Sequence, residues 1–318
     1  MRHRYLWTVI GCLTALSAGA ESLTFRQRLQ LPVARDDIGY GQAVTVDPQT
    51  GEVFVCDPRT NRILIFDRDG YFSYQILGGD EFSAPRDLAV DPEGHLLVLA
   101  NREAGRAPLQ LDFDGLMMGE IPIQGIPDLD NPRFLSIALS PDGTRVYLVD
   151  EANQALWILD RDGNLVRSIA IGDRYDERQR RDLMLGQVDV YGDSVLLAIM
   201  SHGQVQRYTL DGLPIDSIGT KGTSQCQLGR PTAAALTSDG EVLVVDQQRM
   251  MVLRWSPSGN RCLGEYLSVG FSPGYLYYPY DIALDARGLL YIAQTFDGRV
   301  QVFEGLSGAA GTPGSSAP

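Results

Sequence analysis

Residues 41–78 read GQAVTVDPQTGEVFVCDPRTNRILIFDRDGYFSYQILG, and this stretch decides the fold. Four short apolar runs, around Val44, Val55, Leu64 and Ile76, are separated by polar turns that contain Gly51, Asn61 and Gly70. An Asp-Gly pair between two such runs is a strong hairpin signal, so the stretch predicts a small four-stranded antiparallel sheet. The pattern recurs five more times, beginning near Pro85, Phe134, Gln187, Pro231 and Pro279. The turn glycines Gly51, Gly94, Gly143, Gly192, Gly240 and Gly288 follow one another at 43, 49, 49, 48 and 48 residues. A repeat of that length, each copy being one thin sheet, predicts an all-β, six-bladed β-propeller of four-stranded antiparallel blades.

The ends of the chain complete this reading. Residues 1–20, MRHRYLWTVIGCLTALSAGA, carry Arg2 and Arg4, a short apolar run and then small residues, the pattern of a cleavable secretory signal. The expectation is an exported protein, periplasmic or extracellular; a Val9-Ile10-Gly11-Cys12 lipidation box, leaving an acylated Cys12, is the alternative. Residues 22–32 form a lone strand ahead of the first full copy, and the sixth copy is one strand short after Phe303. The N-terminal strand is therefore expected to close the last blade, which removes two sheet edges. Residues 21–304 make the propeller, and residues 305–318, rich in Gly, Ser, Pro and Ala, are expected to be a disordered tail.

These copies resemble NHL repeats. The residues that carry the likeness are 85–91 (PRDLAVD), 51–57 with Asn61-Arg62-Ile63, 147–150 with Asn153, Asp246, and 279–285 with 299–303. The resemblance covers residues 41–303 through many weak matches, and departs where Ile199 or Met200 in copy four and Gln294 in copy six replace the Asp. It implies a six-bladed propeller; the family includes scaffolds, sensors, RNA binders and a few lyases. A fold so widely shared decides no activity.

Charge and composition narrow the partners. The formal net charge is −13, and the leader holds two of the cations, so a nucleic-acid partner is not expected. Beyond His3 of the leader the chain has only His95 and His202, too few for a multi-histidine metal site; His202, beside Ser201, is a lone candidate base. No Gly-x-Ser-x-Gly is present. Asp57, Asp150 and Asp246, each ending a strand, are read as turn-capping residues. Outside the leader the cysteines are Cys56, Cys226 and Cys262; placing Cys226 on one face and Cys262 near the other predicts no disulfide.

Two regions remain as binding candidates. Aligning the copies puts Gln42, Arg86, Leu135, Gly186, Thr232 and Tyr280 at one channel level, and Ala43, Asp87, Ser136, Gln187, Ala233 and Asp281 at the next. Arg86, Asp87, Arg133 and Asp281 would make a mixed polar mouth able to hold a small polar ligand or a calcium ion. The stretch 270–281, GFSPGYLYYPYD, crowds Tyr275, Tyr277, Tyr278 and Tyr280 into one loop, which suits recognition of a protein, peptide or glycan. The expectation is a monomeric binding or scaffold module working through the face that carries this loop, the 173–187 connector and the 101–108 hairpin. The alternative is a metal-assisted lyase or lactonase using Asp87 and Asp281.

Overall fold

The computed structural model describes residues 22–32, 37–80, 82–102, 105–126 and 132–305; the leader and the segment 306–318 lie outside the described residues. After β1 (Thr24–Arg28), blade one is β2 (Ala43–Val46), β3 (Val53–Asp57), β4 (Arg62–Phe66) and β5 (Phe72–Leu77). Blade two is β6 (Ser83–Val90), β7 (Leu96–Arg102), β8 (Gly105–Leu111) and β9 (Met117–Glu120). Blade three is β10 (Phe134–Leu139), β11 (Arg145–Asp150), β12 (Ala155–Asp160) and β13 (Leu165–Ala170). Blade four is β14 (Leu185–Tyr191), β15 (Ser194–Ile199), β16 (Gln204–Thr209) and β17 (Pro214–Ile218). Blade five is β18 (Pro231–Leu236), β19 (Val242–Asp246), β20 (Met251–Trp255) and β21 (Cys262–Tyr266). Blade six combines β22 (Pro279–Leu284), β23 (Leu290–Gln294) and β24 (Arg299–Glu304) with β1, in the order β1-β24-β23-β22.

The protein is thus an all-β, six-bladed propeller of four-stranded antiparallel blades, closed as the sequence predicts. In the closing pair Phe25 lies opposite Phe303 and Arg28 opposite Gln301, with a register shift between Phe25 and Gln27. The Phe25 and Phe303 rings meet edge to face at 6.1 Å. Leu29 extends the pairing, its N–H donating to the Val300 carbonyl at 3.0 Å, and is buried.

Each blade buries both faces because its strands are apolar on both, and a single sheet has only two neighbours to bury them against. Six apolar clusters result among the described residues, one at each blade boundary. Phe54, Cys56 and Ile63 meet Leu88, Leu96 and Val98 between blades one and two. Tyr147, Val149 and Leu156 meet Val188, Val195 and Leu197 between blades three and four. The turns that set the register use Asp-Gly chemistry: Asp160 Oδ1 accepts from the Asp162 and Asn164 N–H groups, and Gly163, at φ +83°, donates to the Asp160 carbonyl. A Cβ at Gly163 would stand 1.6 Å from the Pro122 carbonyl oxygen, so that turn admits only glycine.

Two further expectations meet the structure. The charged connector between blades three and four carries one short exposed helix, α1 (Glu177–Arg181), started by a capping box between Asp176 and Gln179. The cysteine expectation is overturned: Cys226 and Cys262 are disulfide-bonded with Cα atoms 5.8 Å apart, and among the described residues Cys56 is the free, buried thiol. The connector 219–230 does not stay on its face but lies along the outer strand β21. Cys226 N–H donates to Glu265 Oε1 at 2.6 Å, and Arg249 Nη1 ties the Gln227 carbonyl and Glu265 together at 2.7 and 2.8 Å.

Two measurements check this closure. Deleting residues 22–32 exposes the edge of β24 and opens the boundaries on both sides of blade six, so cooperative thermal unfolding should be lost or Tm should fall by more than about 10 °C. The double variant Cys226→Ser/Cys262→Ser removes a cross-link closing 36 residues, and denaturant unfolding should show a loss of about 2–4 kcal/mol.

Candidate functional site

One face of the disc, the upper face here, carries the hairpins after the second strands and the connectors between blades; the lower face carries the other turns. The aspartates that end second strands hold the upper face together. Asp57 accepts from Gly39 N–H at 2.7 Å and Tyr40 N–H at 2.9 Å; Asp150 accepts from Arg133 and Ala152; Asp246 accepts from Arg230, Gln248 and Arg249 at 3.0 Å each. Each carboxylate therefore caps its own turn and also fastens the incoming connector. In blade six Gln294 does the second job, its Oε1 accepting from Tyr277 N–H at 2.6 Å, which explains why the departure from Asp is tolerated there.

The sequence-predicted channel residues are brought together only in part. Arg86, Asp87, Tyr280 and Asp281 share the upper channel, where burial first, then Asp281, Tyr40 and Asp87, raises the Tyr280 phenol. Arg133 is exposed and pairs instead with Glu151 at 3.0 Å. Asp87 and Asp281 do not present free carboxylates. Asp87 Oδ2 accepts from Ser136 Oγ at 2.7 Å and Ile137 N–H at 2.8 Å, while Asp281 Oδ2 accepts from Val44 N–H at 2.9 Å. Ser136 Oγ repeats the arrangement by accepting from Val188 N–H at 3.0 Å. These are stitches from one innermost strand to the next, blade two to three, three to four, and six to one. The set does not fit calcium, which takes about six to eight oxygens, because among the described residues the channel carboxylates form no group of three ligand atoms. Among the described residues only Asp91, Glu93 and His95 have ligand atoms mutually within 4.8 Å, on the lower turn of blade two. There the Asp91 carboxylate already holds His95 Nδ1 at 3.1 Å and Arg161 at 2.7 Å.

A third channel carboxylate, Asp189 on β14, escaped the sequence reading. Its column in the aligned copies is otherwise Thr45, Ala89, Ala138, Ala235 and Ala283, so an acid among small residues was the available signal. Among the described residues no hydrogen bond reaches its oxygens, and burial together with the Asp281 and Asp87 charges raises its pKa well above the usual carboxylate range. Burial likewise pushes Asp87 up to about 7, against the opposing bonds from Ser136 and Ile137. Asp189 lines a cavity of about 930 Å³ that occupies the lower channel, below the level of Asp87 and Asp281. Tyr191 flanks it, hydrogen-bonded to the Leu284 backbone.

The tyrosine-rich loop forms an exposed aromatic patch on the upper face. The Tyr277 ring meets Phe271 at 4.2 Å, Tyr278 at 5.0 Å and Phe296 at 4.9 Å; Tyr278 stacks on Phe296 at 5.7 Å. Phe271 is 62% and Phe296 61% exposed, so the hydrophobic members face water. Tyr278 sits at φ +49°, a strained conformation for an aromatic residue, fixed by Thr295 N–H donating to its carbonyl at 3.1 Å. Tyr275 is exposed but makes no ring contact with the group, and Tyr280 turns to the channel. Phe296, from the hairpin between β23 and β24, was not foreseen because it is distant in sequence. His202 is stacked on Tyr175 at 4.0 Å with Nδ1 bonded to Ser201 Oγ at 2.9 Å, and burial with the Lys221 charge lowers its pKa.

No protein-family model and no curated protein matches the chain. Among solved structures, the β-propeller domain of Cps50 (Swd1) from Myceliophteria thermophila is similar with a TM-score of 0.58 and 11% identity, covering 88% of this chain and 99% of that one. A structural-genomics protein of unknown function from Bacteroides thetaiotaomicron is similar with a TM-score of 0.64 and 15% identity, covering 85% and 70%. At such identities the likeness concerns the fold alone.

The pH response of Asp189 is testable. Its folded pKa lies above the unfolded value of about 3.9, so its contribution to stability is complete below about pH 4 and is lost as pH rises towards the folded pKa. The groups that face it, Asp87, Asp281 and Tyr191, keep their protonation sites in Asp189→Asn. Melting curves of Asp189→Asn and the parent should coincide near pH 4, and the variant should melt higher by a few degrees near pH 8. Equal melting at both pH values would show that the carboxylate is not electrostatically stressed.

Proposed function

We propose that this protein is an exported binding or scaffold module whose upper face receives a protein or peptide partner through the aromatic patch. The observation that carries the reading is the group of exposed Phe271, Tyr278 and Phe296 around the half-buried Tyr277, with Tyr278 held outward by a strained backbone. Rigid rings supply contact area at little cost in conformational entropy, and two exposed phenyl rings without hydrogen-bonding groups favour apolar side chains over a glycan. Export is supported by the signal-like residues 1–20 and by the Cys226–Cys262 disulfide, since such bonds persist in oxidising compartments. NHL-type repeats remain the family reading that the sequence motifs support.

The test uses the full chain with a photo-cross-linking residue at Tyr275, at the edge of the patch, in cells of the source. A cross-linked partner is expected, and Phe271→Ser/Phe296→Ser should reduce its capture by at least about tenfold at unchanged Tm, the range expected for losing central aromatic contacts. Undiminished capture by that double variant would remove the patch from the interface.

A further inference from the structure

The lower channel differs from the upper face in every chemical respect. Its cavity of about 930 Å³ lies at the upper end of the size range of small-molecule sites and opens on the face opposite the aromatic patch. The walls are the inward ends of the six innermost strands, where Ala89, Val90, Ala138, Leu139 and Ala283 leave apolar surface. Against these walls stands Asp189, to which no hydrogen-bond donor is supplied. At the channel level above, Gln187 is 3% exposed and its Oε1 also lacks a donor among the described residues. Asp87 and Asp281 stand at the channel level above the cavity and make it acidic.

We propose that this funnel binds a small organic cation, an amine with an apolar body, whose ammonium group docks on Asp189. An anion gains nothing from a channel lined by three acidic side chains. A metal ion needs several oxygens at one point, and the channel aspartates do not form such a group among the described residues. An ammonium needs one carboxylate, which Asp189 provides, and its hydrocarbon part meets the alanine and valine walls. At the rim, Arg287 is engaged by Asp285 at 2.8 Å and by the Arg68 carbonyl rather than by Asp189. An acid is thus kept where no described residue offsets the charge it would carry, and a bound ammonium would supply the missing counter-charge.

The experiment is calorimetric titration of the full chain at pH 7.5 with butylammonium, 2-phenylethylammonium and tryptamine, with 2-phenylethanol as the neutral isostere and calcium chloride as the metal probe. At least one amine should bind, and 2-phenylethanol should bind at least about tenfold more weakly than 2-phenylethylammonium, as loss of a charge-assisted hydrogen bond requires. Asp189→Asn, checked for an intact melting transition, should weaken amine binding by a similar factor. The proposal is overturned by equal affinity for amine and alcohol, by unchanged binding to Asp189→Asn, by silence across the amines, or by calcium binding that displaces them. None of these readouts depends on the upper-face patch, whose variants should titrate like the parent.

Discussion

Everything in this molecule depends on the pairing of β1 with β24. A propeller blade is a sheet with two apolar faces, and neither can be buried unless a neighbour stands on each side. For blade six that condition is met only when the chain returns to itself, because Leu29 joins the cluster with blade one while Leu23 and Phe25 pack into the cluster with blade five. The N-terminal strand therefore completes a sheet and two interfaces at once, and ring closure removes the free edges that would pair with other chains.

Closure also creates the channel, and the channel decides what its polar residues can do. The innermost strand of each blade has one row of backbone N–H groups with no strand to receive them, and buried donors of that kind need acceptors. Asp87, Ser136 and Asp281 supply these to Ile137, Val188 and Val44 in the next blade. Residues that looked from their spacing like ligands at a mouth are in this way structural, and the burial that makes them good stitches also raises their proton affinity. Asp189 sits one step lower, where the ring widens into the cavity and no neighbouring amide is in reach. Two acids and a third on adjacent levels of one channel thus have opposite roles, set by which backbone lies opposite.

The two faces of the disc are correspondingly distinct. The upper face gathers the long connectors, those of blades one, three and five anchored by a strand-ending carboxylate and that of blade six by Gln294, and on blade six the connector displays rings to solvent. The connector 219–230 takes a different course along the side of blade five, where the disulfide and the Arg249–Glu265 pair fix it.

Periodicity alone determined that the chain makes six antiparallel leaves and that the first strand belongs with the last, because a side-chain period of two and a turn every dozen residues are local properties written into consecutive residues. The capping roles of Asp57, Asp150 and Asp246 were legible for the same reason, since an Asp bonds the turn that follows it. The Cys226–Cys262 bond, the stitching by Asp87 and Asp281, the outward pairing of Arg133, and the joining of Phe296 to the tyrosine loop were decided by the tertiary structure. Each depends on which segments are brought within a few ångströms across blades, or on the path of a connector, and neither is encoded by spacing within one repeat. Asp189 lies between the two cases: its oddness in a column of small residues was visible in the alignment of copies, but its lack of a hydrogen-bond partner among the described residues became a physical fact only when the ring closed around it.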